Sequence, residues 1–106
     1  MKLTKKQFCT CVNKYRDMLE QEQQIVDSLD IGEWVPSSWI NSYYELLDEL
    51  AELPEDYWFG NMLDWYCFET DFGRNEKENK IQRVDNGATV RINSPEALYD
   101  FIMKKE

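Results

Sequence analysis

The stretch Thr4–Leu29, TKKQFCTCVNKYRDMLEQEQQIVDSL, decides the fold. It opens on Thr4 with Gln7 three residues on, the pairing in which a hydroxyl and an amide side chain satisfy the first orphan amides of a helix, and Leu3 and Phe8 stand where a hydrophobic staple would hold the chain's entry. From there Phe8, Val12, Tyr15, Leu19, Val26 and Leu29 recur at alternating spacings of four and three, with Glu22 in one slot. That period is one face of a helix and predicts a long one over about residues 5–29. Lys5 and Lys6 fall in its first turn, where the helix dipole disfavours cations.

Working outward, Gly32 and Pro36 break the chain, and Ser37 or Ser38 can cap a second helix over about 38–53. Its apolar stripe is Ile40, Tyr43, Leu47, Leu50 and Ala51, widened by Tyr44 and Leu46. Pro54 suits the first position of a third helix, over about 55–71, with Gly73 as its terminal glycine. Asn75 to Lys80 is a charged loop. Ile81 and Val84, then Asp85-Asn86-Gly87, then Val90 and Ile92 read as a β-hairpin over about 81–92. Ser94-Pro95-Glu96 supplies a cap, a first-position proline and a first-turn acid for a last helix, about 95–104, with Leu98, Phe101 and Ile102 as its apolar face and Lys104 and Lys105 at its end. The expected architecture is α+β and mostly helical: a three-helix unit followed by a small hairpin and a C-terminal helix, in a single domain spanning 1–106. No internal repeat or low-complexity segment interrupts it.

Charge is segregated along this frame. Residues 1–16 hold five cations and no acid, residues 17–73 hold fifteen acids and no Lys or Arg, and the rest is nearly balanced, which gives the net charge of −9. Small protein surfaces ordinarily intersperse the two signs. Glu45, Asp48, Glu49 and Glu52 recur at three and four residues on the second helix, so like charges face one another without a lysine to relieve them. With Glu55 and Asp56 they form the candidate partner-binding row, and Glu20, Asp27, Asp30 and Glu33 are its extension. Eleven of the fifteen aromatics fall in the same acidic segment, and Trp34, Trp39 and Trp58 are candidate contacts for a partner.

Several chemistries have no residues to run on. The chain has no histidine, hence no imidazole base, no Ser-His-Asp or Cys-His nucleophile and no histidine metal site. No glycine-rich phosphate cradle is present. Cys9, Cys11 and Cys67 are odd in number and do not read as a disulfide framework; Cys9 and Cys11 lack the further ligands a metal needs, so no metal or other cofactor is expected. Asp71-Phe72-Gly73 spells the kinase metal-binding tripeptide without the motifs that accompany it. No apolar run reaches the ~18 residues of a membrane span, and the polar residues behind Lys2, Lys5 and Lys6 do not form a secretory signal, so the expected location is the cytoplasm.

The C-terminal run Trp65-Tyr66-Cys67-Phe68-Glu69-Thr70-Asp71-Phe72-Gly73, followed by a loop, a hairpin and Ser94-Pro95-Glu96-Ala97-Leu98-Tyr99-Asp100-Phe101, resembles small phage and prophage proteins of unknown function from Gram-positive bacteria. Those proteins end in an "LDFG … PEDLYDFL"-like pattern; Thr70 stands here where they carry leucine and Ala97 where they carry an acid. The resemblance covers about the last forty residues. It implies a mobile genetic element, a setting in which small acidic proteins bind and disable host defence machinery.

Together these readings give the expected function: a non-catalytic acidic binding protein that engages a basic, nucleic-acid-handling host protein, as an anti-CRISPR or anti-restriction inhibitor does, by carboxylates that stand in for phosphates. Direct contact with nucleic acid is not expected, because the acidic middle repels it. The alternative is a self-associating assembly protein, a homodimer in the simplest case, that buries the Phe8-to-Leu29 stripe between subunits. A small enzyme built on paired carboxylates ranks below both.

Overall fold

The computed structural model describes residues 1–30, 37–53, 62–69, 79–84 and 86–103. They form a mostly helical α+β fold: α1 (Lys5–Leu29), α2 (Ser38–Ala51), α3 (Met62–Asp64) widening into a π-helical turn (Trp65–Glu69), β1 (Lys80–Gln82), β2 (Thr89–Arg91) and α4 (Pro95–Ile102). The start of the third helix at Pro54, its end at Gly73 and the lysines at 104 and 105 lie outside the described residues.

The first helix begins and ends where its period predicts. Thr4 Oγ1 accepts from Gln7 N–H at 3.2 Å, and Thr4 N–H donates to Gln7 Oε1 at 3.0 Å, completing the reciprocal cap. Leu3 packs against the core and Phe8 is fully buried, as a staple requires. The helix ends at Asp30, a left-handed residue (φ 53°) whose amide donates to Asp27 O. The last helix uses the cap read from Ser94, whose Oγ accepts from Ala97 N–H at 3.1 Å.

Helices α1 and α2 run antiparallel. Lys2 N–H reaches Leu50 O, Tyr43 OH reaches Cys11 O, the Tyr15 and Tyr44 rings lie 5.6 Å apart, and Ser37 bonds Glu22. Opposite α2, α4 covers the N-terminal half of α1: the Phe8 and Tyr99 rings lie 5.7 Å apart, and Lys5 Nζ sits 3.0 and 3.1 Å from the two Asp100 carboxylate oxygens. That ion pair offsets the unfavourable placing of Lys5 at the helix start.

The core joins Phe8, Val12, Tyr15 and Leu19 of α1 to Ile40, Leu47 and Ala51 of α2, to Met62, Leu63, Tyr66 and Cys67, and to Ile81, Ile92, Leu98 and Phe101. Two expectations need correction. The second helix stops at Ala51, two residues early, because Glu52 adopts a left-handed conformation (φ 52°). Leu46 does not widen the core-facing stripe; it is 53% exposed, on the far side of α2.

The hairpin is antiparallel, with Lys80 opposite Arg91, Ile81 opposite Val90 and Gln82 opposite Thr89. Gly87 takes φ +73° in the turn, a conformation that costs a glycine little. A two-stranded hairpin is marginal alone, and buried Arg83 anchors this one: its Nη1 donates to Phe101 O at 3.1 Å and its guanidinium lies 4.7 Å from the centre of the Phe101 ring. Phe101 contributes one of the last carbonyls of α4, where a cation also complements the helix dipole.

Candidate functional site

The exposed side of α2 is set by its period. Ile40, Leu47 and Ala51 turn inward and are buried, which leaves Glu45, Glu49 and Glu52 exposed and Asp48 half-buried on the opposite side. Spacings of three and four place Glu45 beside Asp48 and Glu49 on α2, and Glu52 follows as the left-handed residue that ends the helix. Each such like-charge pair costs an isolated helix about 0.2–0.5 kcal/mol, and no cation occurs on α2 to offset it. A cationic partner would relieve this repulsion. The Glu52 carboxylate lies 3.4 Å from the Met1 amino group at the far end of the row.

Two large apolar side chains are exposed on the same helix, and Leu46 stands one turn before Glu49. Trp39 is 58% exposed and Leu46 53% exposed; seven residues apart, they lie on one line of the helix surface. Trp39 was legible as a candidate contact. Leu46 was not, because a leucine flanking an apolar stripe reads as core; its place next to Glu45 is the signal that could have found it.

The other candidates are more dispersed. Glu20 is half-buried on α1. Asp27, also on α1, accepts from Gln23 Nε2 at 2.7 Å, and Asp30 is the left-handed residue that ends the helix. Glu33, Trp34, Glu55, Asp56 and Trp58 lie outside the described residues. The structure therefore brings Glu45, Asp48, Glu49 and Glu52 together on one helix face and places Glu20, Asp27 and Asp30 on a different helix.

Glu22, the odd polar slot in the α1 stripe, has a structural task. Ser37 N–H donates to its Oε1 at 2.7 Å and Ser37 Oγ to its Oε2 at 2.7 Å. Ser37 is the N-cap of α2 and makes no side-chain cap of its own. A carboxylate from α1 thus accepts an orphan amide at the start of α2 and sets a negative charge at the positive end of the helix dipole.

The cations of α1 are largely engaged within the fold. Lys5 pairs with Asp100, Lys14 Nζ lies 5.5 Å from the centre of the Tyr43 ring, and Arg16 Nη1 donates to Tyr66 OH at 3.0 Å. Burial raises the Tyr66 hydroxyl pKa despite that guanidinium, and burial beside Cys11 raises Tyr43.

Cys9 and Cys11 diverge. Cys9 is buried toward α4, where burial and then the Glu96 carboxylate push its thiol up to about 11, while Cys11 is half-buried on the side facing α2. Both are free thiols, and among the described residues no three His, Cys, Asp or Glu side chains group closely enough to hold a metal ion. Nor, among these residues, is any helix long and apolar enough to cross a membrane.

Two open clefts flank α4. One, about 510 Å³, lies between β2 and α4. The other, about 480 Å³, is polar and lies between the starts of α1 and α4, lined by Lys5, Lys6, Cys9, Thr10, Asn13 and Glu96. Comparison with protein-family models, with curated proteins and with solved structures finds no match for this chain.

Proposed function

We propose that the protein is a non-catalytic binding protein that engages a basic, nucleic-acid-handling host protein through the exposed face of α2. The observation that carries this reading is the row Glu45, Asp48, Glu49 and Glu52 at the end of a helix that holds no cation of its own, with Trp39 and Leu46 exposed along the same helix. Carboxylates at this density occupy a surface built for phosphates by the same electrostatics, and an exposed tryptophan on the same helix supplies buried area at small entropic cost. Inhibition of a host defence nuclease, of the anti-CRISPR or anti-restriction kind, is the activity this chemistry serves in a mobile element. Affinity capture from bacterial lysate at low and at high salt tests it. A nucleic-acid-binding enzyme retained at low salt, released at high salt and lost when Glu45, Asp48, Glu49 and Glu52 are all changed to lysine supports the reading. Capture that survives the four reversals overturns it.

A second reading is self-association. Ile25 and Leu29 are 58% and 62% exposed at the end of α1, and Trp39 opens α2 near the same end of the helix pair. A homodimer that buries these three would be isologous. A monomeric mass by sedimentation equilibrium removes it.

A further inference from the structure

Among the described residues, the hairpin leaves one strand edge beside a cleft. Ile92 N–H donates to Asn79 O at 2.7 Å and Arg83 N–H to Ala88 O at 2.8 Å. With the register of β1 on β2, these bonds make 79/92, 81/90 and 83/88 the hydrogen-bonded pairs of the antiparallel ladder. The amides and carbonyls of Thr89 and Arg91 therefore point away from β1. They stand two residues apart, at the repeat with which one extended backbone pairs with another.

The cleft of about 510 Å³ is bounded by Thr89, Val90 and Arg91 on one side and by Ala97, Asp100 and Phe101 on the other. The last three fall at i, i+3 and i+4, one face of α4. Arg83 and Ala88 also line it, the guanidinium engaged with Phe101; Ala97 keeps the helix side shallow, and Val90 and Ala88 add apolar surface on the hairpin side.

We infer that the edge of β2 and the facing side of α4 form a peptide-binding groove, in which an extended acidic segment of a partner protein adds as a third strand and seats an apolar side chain against Val90, Ala97 and Phe101. Main-chain bonds supply attachment and the cleft supplies selection, as in other cases of strand addition between an edge strand and a helix. Charge decides the kind of peptide. Both oxygens of Asp100 are held by Lys5, whereas Arg91 is exposed and makes no ion pair among the described residues. The unspent charge at the groove is positive, so it favours a carboxylate next to the apolar anchor, on a molecule whose net charge is otherwise −9. This surface is separate from the acidic face of α2 and takes ligands of the opposite sign.

The test is selection of short random peptides displayed on phage against the full chain, followed by titration of the ¹⁵N-labelled protein with a synthetic copy of an enriched peptide. The expected result is peptides that alternate apolar residues with Asp or Glu and shift the amide resonances of Thr89 and Arg91. Arg91→Pro deletes an outward amide without touching the β1–β2 ladder, and Ala97→Trp fills the cleft; each should weaken binding about tenfold or more. Lys80→Pro, on the opposite edge, should change it by no more than about twofold. Should Arg91→Pro disturb the fold, Ala97→Trp and the shift map decide. The inference is overturned by failure to enrich any peptide, by peptides that bind Ala97→Trp as well as wild type, or by shifts confined to α2. It is equally overturned if Thr89 and Arg91 shift with protein concentration alone, since the strand on β2 is then a second copy of this chain.

Discussion

The two halves of α1 carry the same apolar period and meet different fates. From Phe8 to Leu19 every stripe position is buried in the core. Beyond Leu19 the stripe holds Glu22 as a clamp on Ser37, Val26 half-buried and Leu29 exposed. The cause is relative length. Ser37, which opens α2, is level with Glu22, so residues 23–29 run past the start of α2 by about 10 Å. A period of 3.5 to 3.6 residues says which side of a helix wants cover. It does not say how far along the axis a neighbour supplies it.

The sharpest way to break this contrast is to truncate one residue in each half. Leu19→Ala should cost about 2–5 kcal/mol, since it removes a fully buried side chain; Leu29→Ala should stay within about 0.5 kcal/mol. Chemical denaturation of both variants checks the pair, and equal losses would mean that the far half is packed after all. Glu22→Ala marks the boundary between the halves. It removes two charge-assisted bonds at the start of α2 and should cost about 1.5–3 kcal/mol, seen as a lower denaturation midpoint and faster amide exchange in the first turn of α2.

The smallest effect sharpens the dryness of the packed half. Folding raises the Cys9 thiol from 9.0 to about 11, so its protonated form is the one the fold favours. The stability linked to this is fully present below about pH 8.5 and is lost as pH rises through 11, by roughly 2 kcal/mol near pH 10.5. Denaturation at pH 8 and 10.5 should show the loss in wild type and a smaller one in Cys9→Ala. Tyr43 and Tyr66, also raised, add a residual loss of the same sign at the alkaline end.

What the sequence revealed followed from how local each cause is. The cap at Thr4 and Gln7, the Ser94-Pro95-Glu96 start and the Asn86-Gly87 turn act within a few residues, and α1, α4 and the hairpin stand where they place them. The Lys5–Asp100 pair joins residues 95 apart, and the Glu22 clamp becomes visible only once α2 is laid along α1. The π-helical turn at Trp65–Glu69, which buries Trp65, Tyr66 and Cys67 in succession, has no local signature that a helical period could carry. Of the candidate site, the carboxylate row on α2 was legible because its spacing is helical. Leu46 and the groove beside β2 were not, because each depends on which neighbour covers which side.

The contact between the start of α1 and α4 also sets a clock. A ribosome adds about 5–20 residues per second, so the Phe8 ring and the Lys5 ammonium emerge roughly 5–20 seconds before the Tyr99 and Asp100 side chains that receive them. For that interval the side of α1 that meets Tyr99 and Asp100 lacks its α4 cover, with α2 and the Met62–Cys67 segment already available to the rest of the face. Native assembly of this fold thus waits for α4, only eight residues long, to close it.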